Sequence, residues 1–140
     1  MKIANRMENL SPSVTLAITA LARELKAQGK DILSFSAGEP DFDTPQIVKD
    51  AAIKAINDGQ TKYTAVEGII ATKQAIINKL KKDHGLEYKL DGIVISNGAK
   101  HSLFNLFQVL IEKGDEVIIP APYWVTYPEQ VKFSDGIPVF

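Results

Sequence analysis

The chain has 140 residues, 45% hydrophobic and 24% charged, with a formal net charge of −1, which suits about one water-soluble domain with its own core. The near-zero charge supplies no global field for nucleic acid or an anionic membrane, and the lack of cysteine excludes a disulfide scaffold and thiolate metal sites. No apolar run approaches the ~20 residues that span a bilayer, and the stretch Met1 to Met7 lacks the apolar core of a signal peptide, so a cytoplasmic protein is the default expectation.

Residues 14–28 read as an amphipathic helix, with Leu16, Ala20, Leu21 and Leu25 near helical spacing and Arg23, Glu24 and Lys26 off that face. Ser13 or Thr15 can cap its start and Gly29 is placed to end it. Asp31 to Phe35 reads as a short strand. The loop Ser36 to Pro45 then holds one Gly, two Pro and three carboxylates, a composition that shapes a turn between elements, where sites are commonly built. Thr44 at the N-cap and Pro45 at the first helical position open a second helix. Its apolar face is Ile47, Val48, Ala51, Ala55 and Ile56, and Gly59 stops it.

Gly68 precedes a third helix carrying Ile69, Ala71, Ala75, Ile76 and Leu80, with a basic end at Lys79, Lys81 and Lys82. From Asp91 the rhythm changes. Ile93-Val94-Ile95 is a β-branched run of the kind found in a sheet buried on both faces. A turn at Asn97 to Lys100 leads into a helix with Leu103, Leu106, Phe107 and Leu110. Val117-Ile118-Ile119 is a further strand candidate, followed by the proline-rich aromatic segment Pro120 to Pro128 and a last strand at Ile137 to Phe140. Strand, helix, strand, short helix, strand predicts an α/β fold with a parallel or mixed, doubly wound sheet. There is no internal repeat and no low-complexity linker. Such a sheet needs both faces covered and the sequence stops inside an apolar strand, so the reading is the N-terminal part of a longer protein, with a small three-strand domain as the alternative.

Three loops offer chemistry. Ser96-Asn97-Gly98-Ala99-Lys100 lies between a strand and a helix, where backbone N–H groups and the helix dipole suit a phosphate and Lys100 adds a cation. The glycine spacing is neither the dinucleotide fingerprint nor a Walker A loop, and a glycine at such a turn is more often purely structural. In Ala121-Pro122-Tyr123-Trp124-Val125-Thr126-Tyr127, the single tryptophan either stacks on a planar ligand or packs under the loop. In Thr61-Lys62-Tyr63-Thr64, the phenol either donates to an anion or stands idle in solvent. His84 and His101 have no metal-ligand spacing, and Glu39, Asp41 and Asp43 do not follow a calcium-loop pattern, so no metal site is expected.

Taken in order, Ser36 to Pro45, Lys62-Tyr63-Thr64 with Gly68, Ser96 to Lys100, and Pro120 to Pro128 resemble the class I pyridoxal-phosphate-dependent aminotransferases, in particular the bacterial aspartate aminotransferases. The resemblance covers essentially the whole chain. It departs at Ala65, where many relatives carry proline, and at Ile70 to Lys73. It implies the N-terminal part of a fold type I transferase, a three-layer α/β/α large domain. Residues 1–44 would be an N-terminal arm and small-domain segment, and residues 45–140 the first part of the cofactor-binding large domain.

The resemblance also implies roles. Gly38 would bind the substrate α-carboxylate through its backbone N–H. Tyr63 would reach across a homodimer to the partner's cofactor phosphate. Gly98, Ala99 and Lys100 would form the phosphate cup, and Trp124 would stack on the pyridine ring and help hold the substrate. Ser13 and Thr15, with Lys100, would help recognise an acidic side chain. The family's Schiff-base lysine, pyridine-binding aspartate and carboxylate-binding arginine are expected C-terminal to this chain, so no catalytic residue is assigned within it. The implied activity is transfer of an amino group between aspartate or glutamate and a 2-oxo acid. The alternatives are an aromatic, prephenate or alanine-type aminotransferase or a related lyase. From other classes stand a non-catalytic phosphate-binding α/β module and a domain that only mediates dimerisation.

Overall fold

The computed structural model describes residues 2–36 and 38–140; Ala37 of the Ser36–Pro45 loop and Met1 lie outside them. The chain forms two compact units. One comprises residues 1–40 and 103–140, the other residues 41–102.

The first unit contains a 3-10 turn (Asn5–Met7), helix α1 (Val14–Ala27), most of α4 (Ala99–Leu110), strand β1 (Glu116–Ile118), α5 (Thr126–Phe133) and β2 (Ile137–Val139). α1 is amphipathic, as its pattern predicts. Ser13 caps it by accepting from Leu16 N at 3.3 Å. Its end closes when Gly29 N donates to Lys26 O at 2.9 Å and Lys30 N to Leu25 O at 3.1 Å, the paired bonds of a Schellman ending. β1 and β2 are parallel, with Glu116 opposite Ile137, Val117 opposite Pro138 and Ile118 opposite Val139. Pro138 has no N–H to donate, and Ile119 N to Val139 O (2.8 Å) and Ile137 N to Asp115 O (2.7 Å) carry the ladder past it.

α5 is the crossover between these strands, and it supplies Val131, which is 0% exposed and with Ile119 makes the apolar core of the described residues. Gly136 follows because a Cβ there would sit 2.8 Å from Ile111 Cγ2 and 3.1 Å from Val131 Cγ1. Phe104 of α4 meets Phe133 of α5 at 5.5 Å between ring centroids. Ser134 accepts from Gln108 Nε2 at 2.7 Å and donates to Gln130 O at 3.0 Å.

The second unit holds α2 (Gln46–Asn57), α3 (Ile70–His84) and a 3-10 turn at Leu90–Gly92. α2 ends like α1, with Gly59 N donating to Ile56 O and Gln60 N to Ala55 O, both at 3.0 Å. Lys73 is the buried residue of α3, its ammonium 3.9 Å from the Glu67 carboxylate. The Glu67 carbonyl accepts from Ile95 N at 2.9 Å, which lays residue 95 directly over Gly68.

Three local expectations are corrected. Asp31 to Phe35 is not a strand, and Phe35 is 95% exposed. Ile93 to Ile95 is not a strand either, Ile95 N to Glu67 O being its link to the rest of the unit. Both segments have β-type composition, but a strand exists only when a partner completes its ladder. Thr44 is not the N-cap of α2. Pro45 is, with extended φ −52° and ψ 139°, because its carbonyl already accepts from Val48 N (2.9 Å) and Lys49 N (3.2 Å).

Gly68 has φ +102°, and a Cβ there would fall 2.3 Å from Ile95 Cγ1 and 2.6 Å from Ile95 Cβ. Gly68→Ala is expected to lower unfolding free energy by roughly 2–4 kcal/mol, backbone strain and overpacking together, read as a shift of the urea midpoint at constant m-value.

Candidate functional site

In the second unit the Ser96–Lys100 turn takes its shape from Gly98, whose φ is +83°. Gly98 N donates to Ser96 O at 2.8 Å, and its carbonyl accepts from His101 N (3.1 Å) and Ser102 N (3.2 Å). That carbonyl therefore starts α4, and the helix opens at Ala99. First-turn N–H groups find no carbonyl within their own helix and carry the positive end of its dipole. Nothing lies within 4 Å of the position a Gly98 Cβ would take, so an anion can approach the backbone closely. Lys100 stands exposed in that first turn and Ser96 half-buried behind it.

His101, which lacks metal-ligand spacing in the sequence, has a backbone role instead. Its Nδ1 accepts from Asn97 N at 3.2 Å. The side chain reaches back to brace the turn from the third helical position, taking the amide one residue before the one a capping-box Glu or Gln takes. That helix position was the available signal. Tyr63, on another loop of the same unit, has a fully exposed phenol.

In the first unit Gly38 is exposed, with nothing within 4 Å of its would-be Cβ. The loop leading to it is tied to α1. Thr19 Oγ1 donates to Thr15 O at 2.8 Å, Ser36 Oγ lies 3.2 Å from Thr19 Oγ1, and Ser34 Oγ lies 2.9 Å from Ser36 Oγ. Because the Thr19 proton is committed to Thr15, Ser36 donates to Thr19 and Ser34 to Ser36. Of the two hydroxyls read as possible caps, Ser13 caps α1, while Thr15 lies in its first turn.

Trp124 precedes α5 and is 46% exposed, its carbonyl accepting from Tyr127 N at 3.1 Å. Its neighbour Tyr123 packs on Phe140 at 4.8 Å between centroids and 20° between planes. The packing reading of this aromatic segment thus holds for Tyr123, whose ring lies against Phe140. Ser13 and Val14 share a cavity of about 360 Å³ with Tyr123, Val125 and Thr126. The structure so brings Ser13 to the Trp124 segment and links Thr15 to the approach to Gly38, while Gly98, Ala99 and Lys100 stand together at one helix start.

Glu129, which no sequence motif marks, accepts from Ser11 N at 2.8 Å and from Lys132 Nζ at 3.0 Å. Burial opposes its ionisation, but the Ser11 amide and the hydrogen bond and charge of Lys132 outweigh that and hold the carboxyl below the ordinary 4.5. Its stabilising contribution is therefore complete above that value and is lost as pH falls through the lowered folded one. Among the described residues no group of three or more His, Asp or Glu could hold a metal ion, and no helix is long and apolar enough to cross a membrane.

Residues 30–140 match the family described as Aminotransferase class I and II. The whole chain is 57% identical to an aspartate aminotransferase of Geobacillus stearothermophilus, spanning 36% of that protein. It is 56% identical over its whole length to an aspartate/prephenate aminotransferase of Nitrosomonas europaea, spanning 35% of it. The aspartate aminotransferase of Thermus thermophilus, solved with maleate, superimposes over 99% of this chain and 36% of its own with a TM-score of 0.94 at 43% identity. The chain thus spans about a third of the length of the relatives it matches.

Gly98→Ala is expected to cost about 1 kcal/mol through backbone strain alone, since the added methyl meets open space. The urea midpoint measures it, and a loss as large as that at Gly68 would contradict the open cradle.

Proposed function

We propose, because the chain belongs to the class I and II aminotransferase family, that the protein carrying it moves an amino group between aspartate or glutamate and a 2-oxo acid with pyridoxal 5′-phosphate as cofactor. The observation that carries this is the 57% identity to an aspartate aminotransferase along all 140 residues. A relative 43% identical was solved with maleate, a four-carbon dicarboxylate, which favours an acidic substrate.

The residues present fit the cofactor. A phosphate needs several N–H donors, a cation and close backbone approach. The turn at Gly98 supplies that approach, with nothing within 4 Å of the missing Cβ, and Ala99 opens a helix whose first turn includes Lys100. When bound, pyridoxal phosphate supplies an electron sink for the amino acid's α-carbon.

This chain's residues bind and orient. Gly98, Ala99 and Lys100 hold the phosphate, and Trp124 lays its ring against the pyridine and helps seat the substrate. Gly38 offers its N–H to the substrate α-carboxylate. Tyr63, exposed on its own protomer, donates its phenol to the phosphate of a partner in a homodimer. Ser13 and Thr15, with Lys100, receive the substrate's acidic side chain. Residues 1–44 form the arm and small-domain segment, and residues 45–140 the first part of the cofactor-binding domain of a cytoplasmic enzyme. Prephenate as an acceptor is a second reading, favoured by the 56% identity to an aspartate/prephenate aminotransferase.

Adding pyridoxal phosphate to the protein that carries this chain is expected to produce a visible absorbance band; its absence would leave the phosphate-binding module in place of the enzyme. In a donor panel, Lys100→Ala is expected to reduce preference for aspartate over neutral donors by about 10-fold or more, the scale of one charge-assisted hydrogen bond. An unchanged preference counts against an acidic-substrate role for Lys100. Residues 1–140 alone are expected to turn over no aspartate with 2-oxoglutarate, and measurable turnover would place the reactive lysine within them.

A further inference from the structure

We propose that Glu129 is a positioning residue: its carboxylate clasps the backbone entering α1 and so sets where Ser13 and Thr15 stand relative to the segment that carries Trp124. The inference rests on the functional reading above for its substrate consequence, and on the geometry of the first unit for the clasp itself.

Glu129 Oε2 accepts from Ser11 N at 2.8 Å, a bond between residues 118 apart in sequence. Oε1 accepts from Lys132 Nζ at 3.0 Å, so both oxygens have a charged or backbone donor. The side chain is 24% exposed, and a hydrogen bond to an ionised acceptor is shorter and stronger than a neutral one. Glu129 also lies in the first turn of α5, where a negative charge is favoured by the helix dipole.

Both ends of the clasp lead to assigned residues. Ser11 lies just before Ser13, whose Oγ accepts from Leu16 N at 3.3 Å. Residues 11–13 are therefore strung between Glu129 and the first turn of α1, which contains Thr15. At the other end, Trp124 O accepts from Tyr127 N at 3.1 Å, so Trp124 is coupled to the same helical turn as Glu129. Between them lies the cavity of about 360 Å³, with Pro12, Ser13 and Val14 on one wall and Tyr123, Val125 and Thr126 on the other. A second contact, Arg6 over the Phe133 ring at 5.7 Å, holds the preceding turn on α5. That contact is cation–π in kind and tolerates sliding, whereas the Ser11–Glu129 bond fixes register.

A structural tether alone would alter stability without altering substrate choice. A positioning role moves KM for the substrate whose side chain the Ser13–Thr15 element receives, and leaves kcat nearly unchanged. The test uses the protein that carries this chain, loaded with pyridoxal phosphate, as wild type, Glu129→Gln and Glu129→Ala. Gln keeps an acceptor oxygen of the same reach. In Glu129→Ala, KM for aspartate is expected to rise about 10-fold with kcat within about 2-fold, and KM for alanine as donor to stay within about 2-fold; Glu129→Gln is expected to recover most of the difference.

Amide hydrogen exchange at Ser11 gives a readout independent of turnover: slow in wild type and Glu129→Gln, fast in Glu129→Ala. Equal KM changes for both donors, or no change for either, overturn the positioning role. A Ser11 amide that exchanges fast in wild type, or equally slowly in Glu129→Ala, overturns the clasp. A wild-type protein that turns over neither donor overturns the functional reading and with it the substrate consequence, while the exchange measurement still decides the clasp.

Discussion

The parallel pairing of β1 with β2 is the constraint on which the first unit depends. Two parallel neighbours cannot be joined by a tight turn, so the chain between them must cross over as a helix, and α5 is that helix. Val131 is wholly buried by this arrangement, and Gly136 is required where the chain turns back toward β2, since a methyl there would press on Ile111 and Val131. The position of α5 in turn settles where the Trp124 segment joins it and where Glu129 meets the backbone at Ser11. One backbone pairing thus reaches the aromatic segment and the start of α1.

The second unit solves a different problem, that of holding a helix start open. Gly98 takes a left-handed conformation, its carbonyl begins α4, and His101 reaches back to Asn97 N. Each device serves the backbone locally and none needs a distant partner. Ile95 over Gly68 is the tertiary counterpart, a close approach that leaves room for hydrogen and nothing larger.

Legibility divides along that line. The Ser13 cap, the glycine at the Gly98 turn and the ends of α1 and α2 were readable, because each depends on residues within one helical turn. Thr44 was misread because Thr-Pro satisfies the composition of a cap while the cap position is decided by which carbonyl takes the first helical bond, and here it is that of Pro45. Asp31 to Phe35 and Ile93 to Ile95 were misread because strand-like composition is a tendency that only a ladder partner converts into structure. Glu129 was invisible for a stronger reason: its partner is 118 residues away, and nothing in the local pattern of α5 distinguishes it from a solvated acid.

By itself, then, the sequence determined the α/β class, the helices, the turn glycines and the family, since ordered loop motifs and short-range periodicity survive in a one-dimensional pattern. Only the tertiary structure decided that Tyr123 packs on Phe140, that Ser36 is wired to Thr15 through Thr19, and that Glu129 holds the entrance to α1. The physical reason is that each of these rests on a contact between distant segments, and contact energies depend on distance and direction that composition does not encode.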